Sequence, residues 1–224
     1  MTETLVEWGL EPVAVTRFCE QPDLLAVGGT KNPDLTTIID LQPDLVVMDR
    51  EENRSEDAAA LTASGLEVLA LHVRSLDDVT LALDDLARAV GVAPVTKAEV
   101  AVGVPPVRLR AWIPIWRRPW MSISDKTYGS SILEATGVEN VLAGAETPYP
   151  TVTLDDVRGL RSEVVLAPSE PYAFGSRHRA ELATVAPVIF VDGKDLFWWG
   201  SRTPGALERL RGAIGAWAAA VEGH

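Results

Sequence analysis

Apolar and polar positions along the chain change period in a repeating order. In residues 34–48, Leu35, Ile38 and Leu41 recur at helical spacing, a turn follows at Gln42-Pro43-Asp44, and Leu45-Val-Val-Met48 is a continuous apolar run. Such a run, bounded by turn residues, predicts a strand covered on both faces. Residues 153–167 repeat the plan: Leu154, Val157 and Leu160 at helical spacing, then Val164-Val-Leu166. After each predicted strand comes a polar loop, at 49–53 and 168–172. Each loop leads to a helix, a second strand (66–71 and 188–192) and a final helix (76–90 and 204–221). Upstream, Leu5-Val-Glu-Trp-Gly-Leu-Glu-Pro-Val13 matches Leu133-Glu-Ala-Thr-Gly-Val-Glu-Asn-Val141. Each reads as a helix stopped by glycine at C′ and followed by a strand.

This internal repeat predicts two similar α/β lobes. Strands that alternate with helices imply mainly parallel sheets wound by right-handed crossovers. The boundaries expected are an N-terminal lobe at 1–92, a connection at 93–106 and a C-terminal lobe at 107–224. Pro94, Pro105 and Pro106 bound the connection, and residues 96–102 in it suffice for a short crossing helix of about two turns. A cleft between the lobes follows from that plan. In the second half a strand at 107–113 precedes the helix that ends at Gly137. The matching helix of the first half begins almost at Met1, so the first lobe is expected to lack its first strand. A strand edge at 11–16 or 45–48 would then be open, which invites a homodimer through that edge.

Composition narrows the function classes. The chain has 224 residues, 47% apolar and 23% charged, enough to bury a core. Its net charge of −12 argues against nucleic acid or an anionic membrane as the main partner. No apolar run reaches the roughly 18 residues of a membrane span. Cys19 is the single cysteine, so no intrachain disulfide forms. The opening residues have no basic n-region and no apolar h-region, which predicts no signal peptide and a cytoplasmic chain as written. A start further upstream would make it exported or lipid-anchored.

Seven of the 14 aromatic residues are tryptophans, and five of those lie in two stretches: Trp112, Trp116 and Trp120, then Trp198 and Trp199. Two tryptophans bracketing two arginines and a proline at 116–120 cannot all face a core. In open α/β sheets, ligands bind outside the carboxyl ends of the strands. The loops expected there carry Phe18, Trp116, Trp120, Tyr149, Tyr172, Phe174, Trp198, Trp199 and Arg202. Aromatic planes with a few charged heads suit a large, flat, partly polar ligand. An enzyme is the weaker reading. Ser122, Ser124, Asp125, His72 and His178 form no recognisable hydrolase motif, no Gly-x-Ser-x-Gly elbow is present, and both histidines read as surface or satisfied groups. Glu20, Asp49, Glu51 and Glu52 read as a solvated acidic rim rather than a metal site, so no metal and no cofactor are expected.

Thr16-Arg-Phe-Cys-Glu-Gln-Pro22, Val27-Gly-Gly-Thr-Lys-Asn-Pro-Asp-Leu35, Glu51-Glu-Asn-Arg-Ser-Glu-Asp57, Ile115-Trp-Arg-Arg-Pro-Trp-Met121, Ser169-Glu-Pro-Tyr-Ala-Phe174 and Val191-Asp-Gly-Lys-Asp-Leu-Phe-Trp-Trp-Gly-Ser-Arg202 carry a resemblance over nearly the whole chain. The sequence resembles the substrate-binding proteins of ABC importers, within them the group with a helical backbone that includes the vitamin B12, siderophore and haem receptors. The resemblance implies a non-enzymatic, two-lobed solute-binding protein that captures a corrinoid, haem or ferric siderophore and hands it to a permease. By the same resemblance Phe18 and Tyr149 match aromatic ligand contacts, and Asp192 or Asp195 with Trp199 and Arg202 match contacts of the second lobe. Gly29 or Thr30, and Asp49, stand where the B12-binding members have further tryptophans. Docking to the permease would use an acidic residue of each lobe: Asp155 in the second, and in the first, where the register position is Thr36, the nearby Asp34. A shortened intracellular relative, serving as a ligand-free interaction or oligomerisation module, is the alternative.

Overall fold

The structure, a computed structural model, describes residues 1–93 and 109–222. The expected connection at 93–106, apart from residue 93, and the first two residues of the strand expected at 107–113 lie outside the described residues. The chain divides into two units, one of residues 1–73 and 77–93, the other of 74–76 and 109–222.

The first unit runs α1 (Thr2–Glu7), β1 (Ala14–Val15), β2 (Leu25–Ala26), β3 (Gly28–Gly29), β4 (Asn32–Pro33), α2 (Leu35–Leu41), β5 (Val46–Asp49), α3 (Ser55–Ala63), β6 (Val68–Leu71) and α4 (Leu76–Ala89). Strand β1 pairs in parallel with β2, β5 pairs in parallel with β6, and β3 forms an antiparallel ribbon with β4. Ile38, Met48, Leu61 and Leu66 are buried together, with Val27, as the helical and strand periods require. The Asp34 side chain caps α2 by accepting from the Thr37 N–H at 3.1 Å, which satisfies one of the helix's orphan donors.

The second unit runs β7 (Leu109–Trp112), β8 (Trp120–Met121), α5 (Tyr128–Ala135), β9 (Val138–Asn140), β10 (Thr151–Val152), α6 (Leu154–Gly159), β11 (Val164–Pro168), α7 (Arg179–Leu182), β12 (Val188–Val191), α8 (Gly193–Phe197) and α9 (Thr203–Glu222). Four of these strands form one parallel sheet in the order β12-β11-β7-β9. All five residues of β11 are buried, as a central strand covered on both faces must be. Trp112, Val157, Val165, Ala167, Phe174 and Leu182 form the core. Helix α6 starts with a reciprocal capping box between Thr153 and Asp156.

The repeat is visible in both units. Gly9 after α1 and Gly137 after α5 both take left-handed backbone, φ 78° and 84°, where a side chain would strain the turn. The two sheets differ as expected. In the second unit β7 bonds to β11 on one side and β9 on the other. In the first unit the counterparts, β5 and β1, belong to separate two-stranded pairs, and among the described residues no strand holds the position of β7. Of the two segments expected to present an edge, residues 14–15 pair with β2 and residues 46–49 with β6.

Candidate functional site

The geometry of the site starts from strand order. From β7 the chain passes through α5 to β9 on one side of the sheet. It then crosses back to β11, whose connection runs through α7 to β12 on the other side. Adjacent parallel strands β7 and β11 therefore send their outgoing segments in opposite directions. Such a switch point leaves a crevice at the carboxyl ends, the preferred ligand position in open α/β sheets.

The segments that leave β7 and β11 carry the aromatic residues. Residues 116–121 close a tight hairpin: the Ile115 N–H donates to the Met121 carbonyl at 2.9 Å, and the Met121 N–H to the Trp116 carbonyl at 3.1 Å. At its tip Arg118 has φ 71°. Trp120, in β8, stacks on Phe174 from the other segment, with centroids 6.0 Å apart and planes 6° from parallel. Trp112 meets Trp120 edge-on at 5.5 Å, Tyr172 meets Phe174 at 4.7 Å, and Trp116 meets Tyr172 edge-on at 5.7 Å. Trp112 and Phe174 are buried at the bottom, Trp120 and Tyr172 are half-buried, and Trp116 is 43% exposed. The cluster thus grades from core to surface and ends in an open aromatic face.

His178 completes it. The sequence reads this residue as a surface or satisfied histidine, and the structure shows the satisfied one: it is buried and within 5.5 Å, ring to ring, of both Tyr172 and Phe174. The Gly175 N–H points at its Nδ1 and Arg177 Nε at its Nε2, each at 3.2 Å, with the Tyr172 hydroxyl 3.4 Å from Nε2. Burial first, then Arg177 and Arg117, hold the imidazole below its usual value, against Glu181. Arg117 is tied to the Glu181 carboxylate at 2.9 Å, and this hydrogen bond, then one to Tyr172, raises its already high value.

A second group follows β12. Trp198, half-buried, has the Arg202 guanidinium 5.6 Å and the Lys194 ammonium 5.4 Å from its ring centroid. Its neighbour Trp199 is more deeply buried, at 7% exposed, as the alternation of an extended segment predicts. Beneath them buried Asp195 accepts from Arg202 at 3.2 Å and from Arg209 at 2.6 Å. Burial pushes this carboxyl up, but the bonds from Arg209 and Arg202 outweigh it and leave the carboxyl below its ordinary value. Tyr128, packed below and bonded to Thr203, is pushed up to about 12 by burial.

Tyr149 is exposed on the segment beside residues 122–124, where Ser122 and Ser124 donate backbone N–H groups to Pro150 and Pro148. Phe18 is exposed in the first unit beneath the Arg17 guanidinium, 4.9 Å from the ring centroid. Asp155 is exposed on the first turn of α6 beside Arg158, and Asp34 is occupied as the α2 cap. Ser122 and Ser124, the serines of the hydrolase alternative, are fully buried, and the Ser122 hydroxyl donates to the Ile113 carbonyl at 2.7 Å.

No family model matches the chain. A vitamin B12-binding protein of Pectobacterium carotovorum is 24% identical over 180 residues, 73% of this chain and 65% of that protein. The chain thus spans just under two thirds of that relative's length. Among solved structures, the periplasmic vitamin B12 binding protein of Vibrio cholerae superposes with a TM-score of 0.75 at 19% identity, covering 91% of this chain and 88% of that one. A periplasmic heme-binding protein from Roseiflexus sp. RS-1, in apo form, gives 0.79 at 20% identity, covering 95% and 93%. The chain therefore has the two-lobed α/β fold of the periplasmic vitamin B12- and heme-binding proteins, and it resembles the B12-binding group in sequence as well.

Proposed function

We propose that this protein is the solute-binding component of an ABC importer and takes up a large, flat, partly polar ligand of the corrinoid or haem type. The observation that carries this reading is the graded aromatic cluster at the β7/β11 switch point. Two separate segments supply Trp116, Trp120, Tyr172 and Phe174 to one place, and Trp116 keeps 43% of its surface open. A stacked, rigid aromatic surface matches a planar macrocycle in shape and loses little side-chain entropy on binding. The names of the relatives and structural neighbours agree with that ligand class. The reading puts the working protein outside the cytoplasmic membrane, as the periplasmic neighbours are, and makes its task binding and release rather than turnover. Among the described residues no helix is long and apolar enough to cross a membrane.

Thermal melting with cyanocobalamin, haem and a ferric siderophore tests the proposal. A ligand at 100 times its dissociation constant stabilises by about 2.7 kcal/mol, several degrees for a chain of this size. One of the three should raise the midpoint by that amount. Trp116→Ala, which removes an exposed ring, should melt like the parent alone and lose most of the ligand-induced shift. No shift with any of the three sinks the proposal.

A further inference from the structure

The hairpin that presents Trp116 and Trp120 has a feature that stacking does not explain. Its tip residue is Arg118, with φ 71°. A non-glycine side chain in left-handed backbone is strained, and such strain persists where surrounding structure or function maintains it. Glycine would relieve the strain, and a surface charge alone gives no reason to keep an arginine. The other arginines of the two segments are engaged: Arg117 with Glu181, and Arg177 with His178. Arg118 is exposed, and no side-chain partner among the described residues holds it.

We infer that Arg118 is a specificity-determining residue that pairs with an anionic substituent, a carboxylate or a phosphodiester, on the rim of the macrocycle stacked against Trp116 and Trp120. This inference rests on the binding-protein reading above. Two tryptophans two residues away on either side fix where the ring system lies. Arg118, between them in sequence at the hairpin tip, carries a planar fork of donors suited to carboxylate and phosphate oxygens. The aromatic surface accepts many flat molecules; a charged group at its rim chooses among them by the charge their edges carry. Such selection needs a group left unpaired in the free protein, as Arg118 is.

The test measures affinities of the parent chain, Arg118→Gln and Arg118→Gly for two matched pairs of probes. Haem carries two propionates that haem dimethyl ester lacks, and cyanocobalamin carries a phosphodiester that dicyanocobinamide lacks. A charge-assisted pair at a partly exposed rim implies a loss of about five- to tenfold for the anionic member of the pair that binds. Affinity for its uncharged counterpart should stay within about twofold by the same reasoning. Arg118→Gly also relieves the left-handed strain, so it should melt no lower than the parent, separating a role in recognition from a role in folding. Equal losses for both members of a pair, or no loss at all, overturn the assignment and leave the binding-protein reading intact. If the parent binds none of the four probes, that reading itself falls.

Discussion

At the scale of single residues, His178 is buried against the aromatic cluster, beside Tyr172 and Phe174. Both ring nitrogens face donors, so an added proton would point at the Gly175 N–H or at the Arg177 guanidinium. Burial, Arg177 and Arg117 all oppose that proton, and Glu181 alone favours it. Above the ordinary histidine value of about 6.5 the ring is neutral in the folded and unfolded chains alike. As pH falls through that value the unfolded chain takes up a proton that the folded chain resists, so stability declines until the folded ring also protonates. The expected outcome is a midpoint that falls between pH 7 and pH 5 more steeply in the parent than in His178→Asn, whose amide can still accept from Gly175. Scanning calorimetry across that range checks it, and parallel curves would contradict the assignment. Tryptophan spacing in the sequence marks Trp116 and Trp120. His178 gave no such signal: a lone histidine in a polar stretch acquires meaning only when two segments distant in sequence fold over it. Trp112 was grouped with its neighbours by sequence, and the structure separates it as the buried floor.

At the scale of elements, hydrophobic period located most helices and long strands to within a residue or two, because burial on one stripe or on both faces leaves a direct trace. The helix expected at 76–90 is Leu76–Ala89, and the strand expected at 188–192 is Val188–Val191. Short elements left no such trace. The β8–β10 ribbon pairs only Trp120 with Val152 and Met121 with Thr151, and α8 is five residues long; both are set by contacts rather than by period. One of those contacts bears on the segment that carries Tyr172 and Phe174. The first residue of α8, Gly193, packs so close to the segment after β11 that a Cβ there would lie 2.4 Å from Glu170 Cγ and 2.6 Å from its backbone nitrogen. The Gly193 N–H also donates to the Ser169 hydroxyl at 2.9 Å. Gly193→Ala must therefore push back residues 169–174, which carry Tyr172 and Phe174. Overpacking of this kind costs about 1–3 kcal/mol. Urea denaturation should show that loss, and ligand affinity should fall with it because the Trp120–Phe174 stack is displaced. Unchanged stability and affinity would mean that the segment yields freely and does not hold the aromatic surface in place.

At the scale of the whole molecule, charge is divided unevenly along the chain. Residues 1–93 carry 18 acidic and six basic side chains, while residues 109–222 carry 13 and 12. Nearly all of the net charge of −12 thus belongs to the first half, and single acidic residues there stand in a crowded negative field. The repeat places Asp34 and Asp155 at matching ends, ahead of and within the first turns of α2 and α6, yet their circumstances differ. Asp34 is held by the Thr37 hydroxyl and N–H, bonds that also lower its value, so it serves the helix cap. The Asp155 side chain is 89% exposed and pairs with the neighbouring Arg158, leaving it presentable to a partner. A permease that reads acidic residues on both halves should consequently depend on Asp155 more than on Asp34. Rim charges act mainly on association rate, and their effect fades with salt. With the cognate permease in lipid nanodiscs, Asp155→Asn should slow association several-fold at low salt and by much less at 0.5 M salt. Asp34→Asn should leave the rate within about twofold, since asparagine caps a helix as well as aspartate does. Surface plasmon resonance at the two salt concentrations measures both effects. Equal slowing by the two substitutions would show that the docking charge is shared between the halves, as the repeat alone would have it, and that the cap at Asp34 does not withdraw it from the partner.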